Sequence, residues 1–184
     1  MTEVGERSES SRREERIEVR IVESYSAADR GELAGEENDP SQTSAYQLQW
    51  RTTEKHVVVV AGGKTVGHVG LVGQTVEVQA NPVSIAGIGG VLVRRGCRGR
   101  GYCRMAMGAA ETFAVGHMRV KFILLFCRPA LQRFYEHLGW TKVSSPVWAE
   151  QARGNVLLPI VSMVKCLGPE QWPRGEIHLG SRPW

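Results

Sequence analysis

Apolar residues alternate at Ile17, Val19 and Ile21, a period of two that predicts a first strand. A polar stretch over residues 24–45 follows, with room for short helices and carrying Glu32, Glu36, Glu37 and Asp39. Three runs rich in β-branched residues then predict consecutive antiparallel strands at 56–61 (HVVVVA), at 66–72 extending toward 78, and at 83–93. Past residue 100 the period lengthens. Tyr102, Met105, Ala106, Ala109 and Phe113 recur three and four apart, which predicts an amphipathic helix over 101–116 ending near Gly116. A buried strand at 120–127 (VKFILLFC) comes next. A second helix opens at Pro129, carries Leu131, Phe134, Tyr135 and Leu138, and stops at Gly139. Strands near 140–143 and over 156–166 complete the body. The order describes an α+β protein, a mixed sheet with helices packed on its faces.

Length and charge narrow the chemistry. The 184 residues suit one domain able to bury a core. Residues 1–15 (MTEVGERSESSRREE) are charged and aperiodic and are expected to form a disordered arm. The net charge is +4, and much of the excess sits at Arg94, Arg95, Arg98, Arg100 and Arg104. There "VRRGCRGRGYCRM" (93–105) joins a strand to a helix, with Gly96, Gly99 and Gly101 between the arginines. A helix start offers unpaired N–H groups and a partial positive charge, glycines permit close approach, and arginines add bidentate donors. A pyrophosphate is the economical ligand. Cys97, Cys103, Cys127 and Cys166 lack metal-ligand spacing, the chain opens on polar residues, and no apolar run approaches the ~20 residues a bilayer requires. A reducing cytoplasm is the expected compartment, with no metal and no membrane.

Two other glycine clusters compete for the phosphate. "AGGKT" (61–65) lacks the first glycine of a Walker loop, is followed by no helix, and is expected to be a hairpin turn. "GIGG" (87–90) leads into a strand where a dinucleotide fingerprint needs a helix.

The stretch "GVLVRRGCRGRGYCRMAM" (90–107) resembles motif A of the GCN5-related N-acetyltransferases, the pattern Gln/Arg-x-x-Gly-x-Gly/Ala falling on Arg98, Gly101 and Cys103, the last in place of a small residue. "RPALQRFYEHLGW" (128–140) resembles their motif B. The tail "EQWPRGEIHLGSRPW" (170–184) is similar to the end of the aminoglycoside 2'-N-acetyltransferase and NodA-like branch.

This resemblance implies a central, mostly antiparallel sheet of six to seven strands, splayed at the cofactor site. It implies an acyl-CoA N-acyltransferase domain over 16–168 and a tail, 169–184, near the acceptor. Acetyl-CoA or another acyl-CoA is the expected co-substrate. Its pantetheine would pair with the backbone of Val91, Leu92 and Val93, and its pyrophosphate would rest on Arg98, Gly99, Arg100, Gly101, Tyr102 and Cys103, with Arg104 reaching an outer phosphate. Tyr135 takes the position of a general acid. The branch's acidic residue would stand at Gly89, so the base is open among Trp184, Glu77, His68 and a water; Gly89 and Trp184 are expected at the acceptor site. The expected acceptor is a small-molecule amine, drawn by the carboxylates of 32–39. A homodimer is compatible with this reading, and nucleic acid is not an expected partner. The competing readings are a silent acyl-CoA sensor and a nucleic-acid-binding module.

Overall fold

The computed structural model describes residues 16–37, 39 and 42–184; the arm expected over 1–15 lies outside them. The chain runs β1 (Ile17–Val22), α1 (Ala27–Ala34), β2 (Lys55–Ala61), β3 (Lys64–Val78), β4 (Asn81–Val93), α2 (Tyr102–Gly116), β5 (Phe122–Cys127), α3 (Gln132–Glu136), β6 (Thr141–Lys142), β7 (Val147–Gln151), β8 (Gly154–Leu157), β9 (Val161–Cys166) and β10 (Ile177–His178). Each helix start has a local cause. Ser26 closes a capping box with Asp29, its hydroxyl accepting from the Asp29 N–H at 3.1 Å while the carboxylate accepts from the Ser26 N–H at 2.8 Å. Pro129 begins a 3-10 turn that leads into α3, so the second expected helix is shorter than its apolar stripe. Gly62 and Gly63, at φ of 57° and 78°, make the tight turn between β2 and β3, as only glycine does without strain.

The fold is mixed α+β, and the sheet is mostly antiparallel. Along it the order is β6-β9-β5-β4-β3-β10-β7-β8, with β2 and then β1 continuing from the first half of β3. Ten strands, where six to seven were expected, are present among the described residues. The stretch 156–166 is divided into β8 and β9 around Pro159, whose missing N–H interrupts a ladder. The tail adds β10, wedged between β3 (antiparallel) and β7 (parallel).

Because side chains alternate across a strand, the sheet has two apolar faces. Val57, Val59, Leu71, Ile88, Ile123 and Leu125 pack with Ala106, Met107, Ala110 and Ala114 of α2 on one face. On the other, Val72, Val76, Ile85 and Leu124 meet Ile177, Leu179 and Trp184 of the tail. Trp172 lies edge-on to Phe122, ring centroids 5.3 Å apart. The tail is therefore core, and its removal exposes one face of the sheet.

Candidate active site

The site begins where two parallel strands part. β4 pairs with β5 only through Ala86, Gly87 and Ile88, opposite Ile123, Leu124 and Leu125; residues 89–93 run on without it. The divergence coincides with a bulge. On the β3 side Gly70 faces Gly89 and His68 faces Leu92, so one residue of β3 spans two of β4, and Gly90 sits there at φ +58°. A buried imidazole pair fixes this bulge. His68 Nδ1–H donates to the Gly90 carbonyl at 2.7 Å, which leaves Nε2 bare to accept from His56 Nδ1–H at 3.1 Å. Tyr25 stacks on His68 with centroids 4.1 Å apart. Burial holds both rings neutral, pushing His68 down to about 4 and His56 below its ordinary range.

On one side of the parted strands is a cavity of about 690 Å³. It brings together Val91, Leu92, Val93, Arg98, Gly99, Gly101, Tyr102, Cys103 and Arg104; Arg100, expected with them, is not part of its lining. Gly101 caps α2 at φ +83° with no side-chain cap hydrogen bond, and among the described residues no side chain takes the helix's first N–H groups; its first turn holds no acidic residue. Gly99, at φ +80°, and Gly101 have no atom of the described residues within 4 Å of where a Cβ would stand, which leaves those amides accessible to an anion. Arg98 is anchored rather than free: its Nη2 pairs with Glu37 at 2.7 Å and its Nε donates to the Val93 carbonyl at 3.2 Å.

A second cavity, about 340 Å³, opens on the other side and is lined by Gly89, Gly90, Trp50, Phe126 and Trp184. Tyr135 and Val91 line both. Tyr135 is 5 % exposed, and its phenol is held far above the ordinary tyrosine value, chiefly by burial and then by the neighbouring Cys103 and Cys127. Among the described residues the hydroxyl has no hydrogen-bond partner. Burial also pushes Cys103 and Cys127 up to about 11, which keeps both as thiols and leaves neither as a nucleophile.

The model of the acetyltransferase (GNAT) family matches residues 20–140. The chain belongs to the GNAT family. No curated protein matches it. Among solved structures the GNAT fold is shared with the GNAT family N-acetyltransferase YhbS from Escherichia coli in complex with CoA, at TM-score 0.60 and 16% identity over 90% of each chain. An acyl-CoA N-acyltransferase from Pseudomonas aeruginosa superposes at TM-score 0.54 and 15% identity, covering 82% of this chain and all of its own. A GCN5-related N-acetyltransferase from Kribbella flavida matches at TM-score 0.52 and 19% identity over 69% of this chain; this chain spans 34% of that one.

Within this GNAT fold several expected residues take other places. Glu77 stands at the far end of β3 in a separate hollow with Trp148 and His178. His68 has both ring nitrogens engaged below the bulge. Glu77 does not reach the parted strands; His68 does, through the Gly90 carbonyl, but with both nitrogens engaged it has none bare to take a proton there. Glu32 pairs with Arg94 at 3.4 Å, and Glu37 and Asp39 line the larger cavity, so these carboxylates do not wall the smaller one. Gly89 carries no acid for a steric reason as well: a Cβ there would lie 2.9 Å from the main-chain carbon of Trp184, and one at Gly87 would lie 2.1 Å from its indole Cε2. Trp184 donates from Nε1 to the Leu124 carbonyl at 3.4 Å. Sequence reasoning set "GIGG" aside; its glycines are room for a tryptophan about a hundred residues away, and a bulge.

Proposed function

We propose that this protein moves an acetyl or other acyl group from acyl-CoA directly to the amine of a small molecule. The observation that carries the reading is the position of Tyr135, buried and protonated where the two cavities meet. The larger cavity suits the coenzyme. Unclaimed amides at the start of α2, with Arg104 and the donors that Arg98 does not spend on Glu37 and Val93, would hold its pyrophosphate. The side of residues 91–93 that β5 leaves open would bond the pantetheine as a neighbouring strand does, Arg98 giving up the Val93 carbonyl. Acyl-CoA supplies the thioester, whose carbonyl carbon takes the amine as the C–S bond breaks.

The chain's residues then handle position and protons. Residues 91–93 orient the thioester, and the Gly90 bulge keeps the strands apart so that an amine can approach from the smaller cavity. Tyr135 donates from its hydroxyl to the sulfur, which leaves as a thiol. The proton shed by the attacking nitrogen passes to water in the smaller cavity and restores the phenol. Because burial raises the phenol, it stays a donor across the working pH range. Gly89 and Trp184 shape the acceptor side. Kinship with the aminoglycoside 2'-N-acetyltransferase and NodA-like branch rests on the tail's sequence, and a cytoplasmic location on the four free cysteines.

A silent acyl-CoA sensor is the second reading, favoured by the missing carboxylate at Gly89. Release of free thiol from acetyl-CoA with a panel of amines separates the two, since only a transferase liberates CoA in response to an acceptor. In the same assay Tyr135→Phe lowers kcat by about 100-fold while acetyl-CoA still raises Tm. Parental turnover in that variant would remove the acid from this scheme.

A further inference from the structure

The smaller cavity has a charge that a cationic acceptor does not fit. Arg30, Arg51 and Arg128 line it, Arg128 lining the larger cavity as well, and among the described residues no Asp or Glu side chain does; the main-chain carboxyl of Trp184, beside Gly89, is the one anionic group that lines it with these three cations among the described residues. The three guanidinium groups are not equivalent. Arg51 is spent: it pairs with Glu54 at 2.6 Å and donates to Gln74 at 2.8 Å. Arg128 gives one Nη1–H to the Gln42 side chain, and its Nε is buried with no hydrogen-bond partner among the described residues. Arg30, on α1, has no carboxylate partner among the described residues and brings Nη2 within 3.7 Å of where a Cβ on Gly90 would stand, beside the bulge. Arg30 and Arg128, neither with a carboxylate partner among the described residues and the second with a buried unsatisfied donor, thus stand beside the point from which an amine would approach, Arg128 at the border with the larger cavity that Glu37 and Asp39 also line. A buried donor without a partner is costly and marks a place for an acceptor group. The rest of the wall is aromatic, with Phe126 between Trp50 and Trp184 at centroid separations of 6.4 and 5.1 Å.

Resting on the reading that this cavity takes the acceptor, we infer that the acceptor carries a carboxylate together with its amine: an amino acid with an apolar or aromatic side chain, held by Arg30 and Arg128 over the Trp50, Phe126 and Trp184 wall. Guanidinium matches carboxylate in a bidentate fork, and the same pair of cations repels a polyamine or an amino sugar bearing several charges. The carboxylate expectation drawn from residues 32–39 is thereby inverted, because those carboxylates are engaged at the other cavity and at Arg94.

Thiol release from acetyl-CoA is measured with phenylalanine, phenylalaninamide, phenethylamine and spermidine, and in parallel the binding of N-acetylphenylalanine and its amide is followed by thermal shift. Phenylalanine is expected to exceed phenethylamine in kcat/KM by about 10- to 100-fold. In Arg30→Gln that ratio falls by about 10-fold, and Arg30→Lys, which keeps the charge, recovers part of it. Equal use of phenylalanine and phenethylamine, or a preference for spermidine, overturns the carboxylate inference and leaves acyl transfer standing. No thiol release with any amine, but a larger shift with N-acetylphenylalanine than with its amide, keeps anion recognition and removes transfer. Neither release nor preference removes both.

Discussion

His68 carries no chemistry in this account, yet it sets the geometry on which the chemistry depends. Its Nδ1–H holds the Gly90 carbonyl at 2.7 Å, and the bulge so fixed is what separates β4 from β5. A neutral ring is required, because Nε2 must accept from His56. The consequence is a pH dependence with a definite sign. The folded value is about 4 against an ordinary value of 6.5. Above pH 6.5 the ring is neutral whether the chain is folded or not, and its full contribution is present. As pH falls below 6.5 the unfolded chain binds a proton that the folded chain refuses, and stability drains away until about pH 4. Denaturant titrations are expected to lose about 2 kcal/mol between pH 7 and pH 5 from this ring. His68→Asn keeps a donor near Gly90 and removes the titration, so its curve should be flatter by that amount. Equal slopes in the two proteins would mean that the ring is charged when folded.

At the scale of elements, the decisive contact joins β4 to the tail. Indole and strand approach so closely that Gly87 and Gly89 are the only residue type that fits, since an added Cβ lies inside the contact distance of Trp184. Gly87→Ala is expected to destabilise the protein by about 1–3 kcal/mol through overpacking. Trp184→Ala also destabilises, but it vacates the space, so the double variant costs less than the two singles summed. Strict additivity in denaturant midpoints would place the tail elsewhere in solution. This contact also marks where sequence reading stops. The β-branched runs of β2, β3 and β4 and the three- and four-residue spacing of α2 are periodic signals, and each yields its element. β10 has two residues, too few for any period, and its pairing with β3 spans about a hundred positions. "GIGG" is ambiguous for the same reason: glycine records that something approaches closely, and the partner is remote. The arginine–glycine junction was legible because strand, turn and helix start are contiguous in the chain.

For the molecule as a whole, the sheet's two faces and its one parting divide the labour. α2 and its core face carry the open amides proposed to hold the pyrophosphate, while the opposite face, closed by the tail, carries the aromatic and arginine-lined cavity. Tyr135 stands between them because α3 follows β5 across the gap. Which carboxylate serves which cavity was not legible, since Glu32 and Glu37 reach partners about sixty residues on, at Arg94 and Arg98. The central claim is that one acyl-CoA threads this parting, bound at one end by backbone amides and presented at the other to a phenol. Diffraction from crystals grown with acetyl-CoA tests it most directly. The account predicts the pyrophosphate at hydrogen-bond distance, about 3 Å, from the amides opening α2, the pantetheine alongside residues 91–93, and the thioester sulfur next to the Tyr135 hydroxyl. Acetyl-CoA bound away from the parted strands, or a sulfur turned from Tyr135 with the β5-facing side of residues 91–93 closed by another strand, would contradict it.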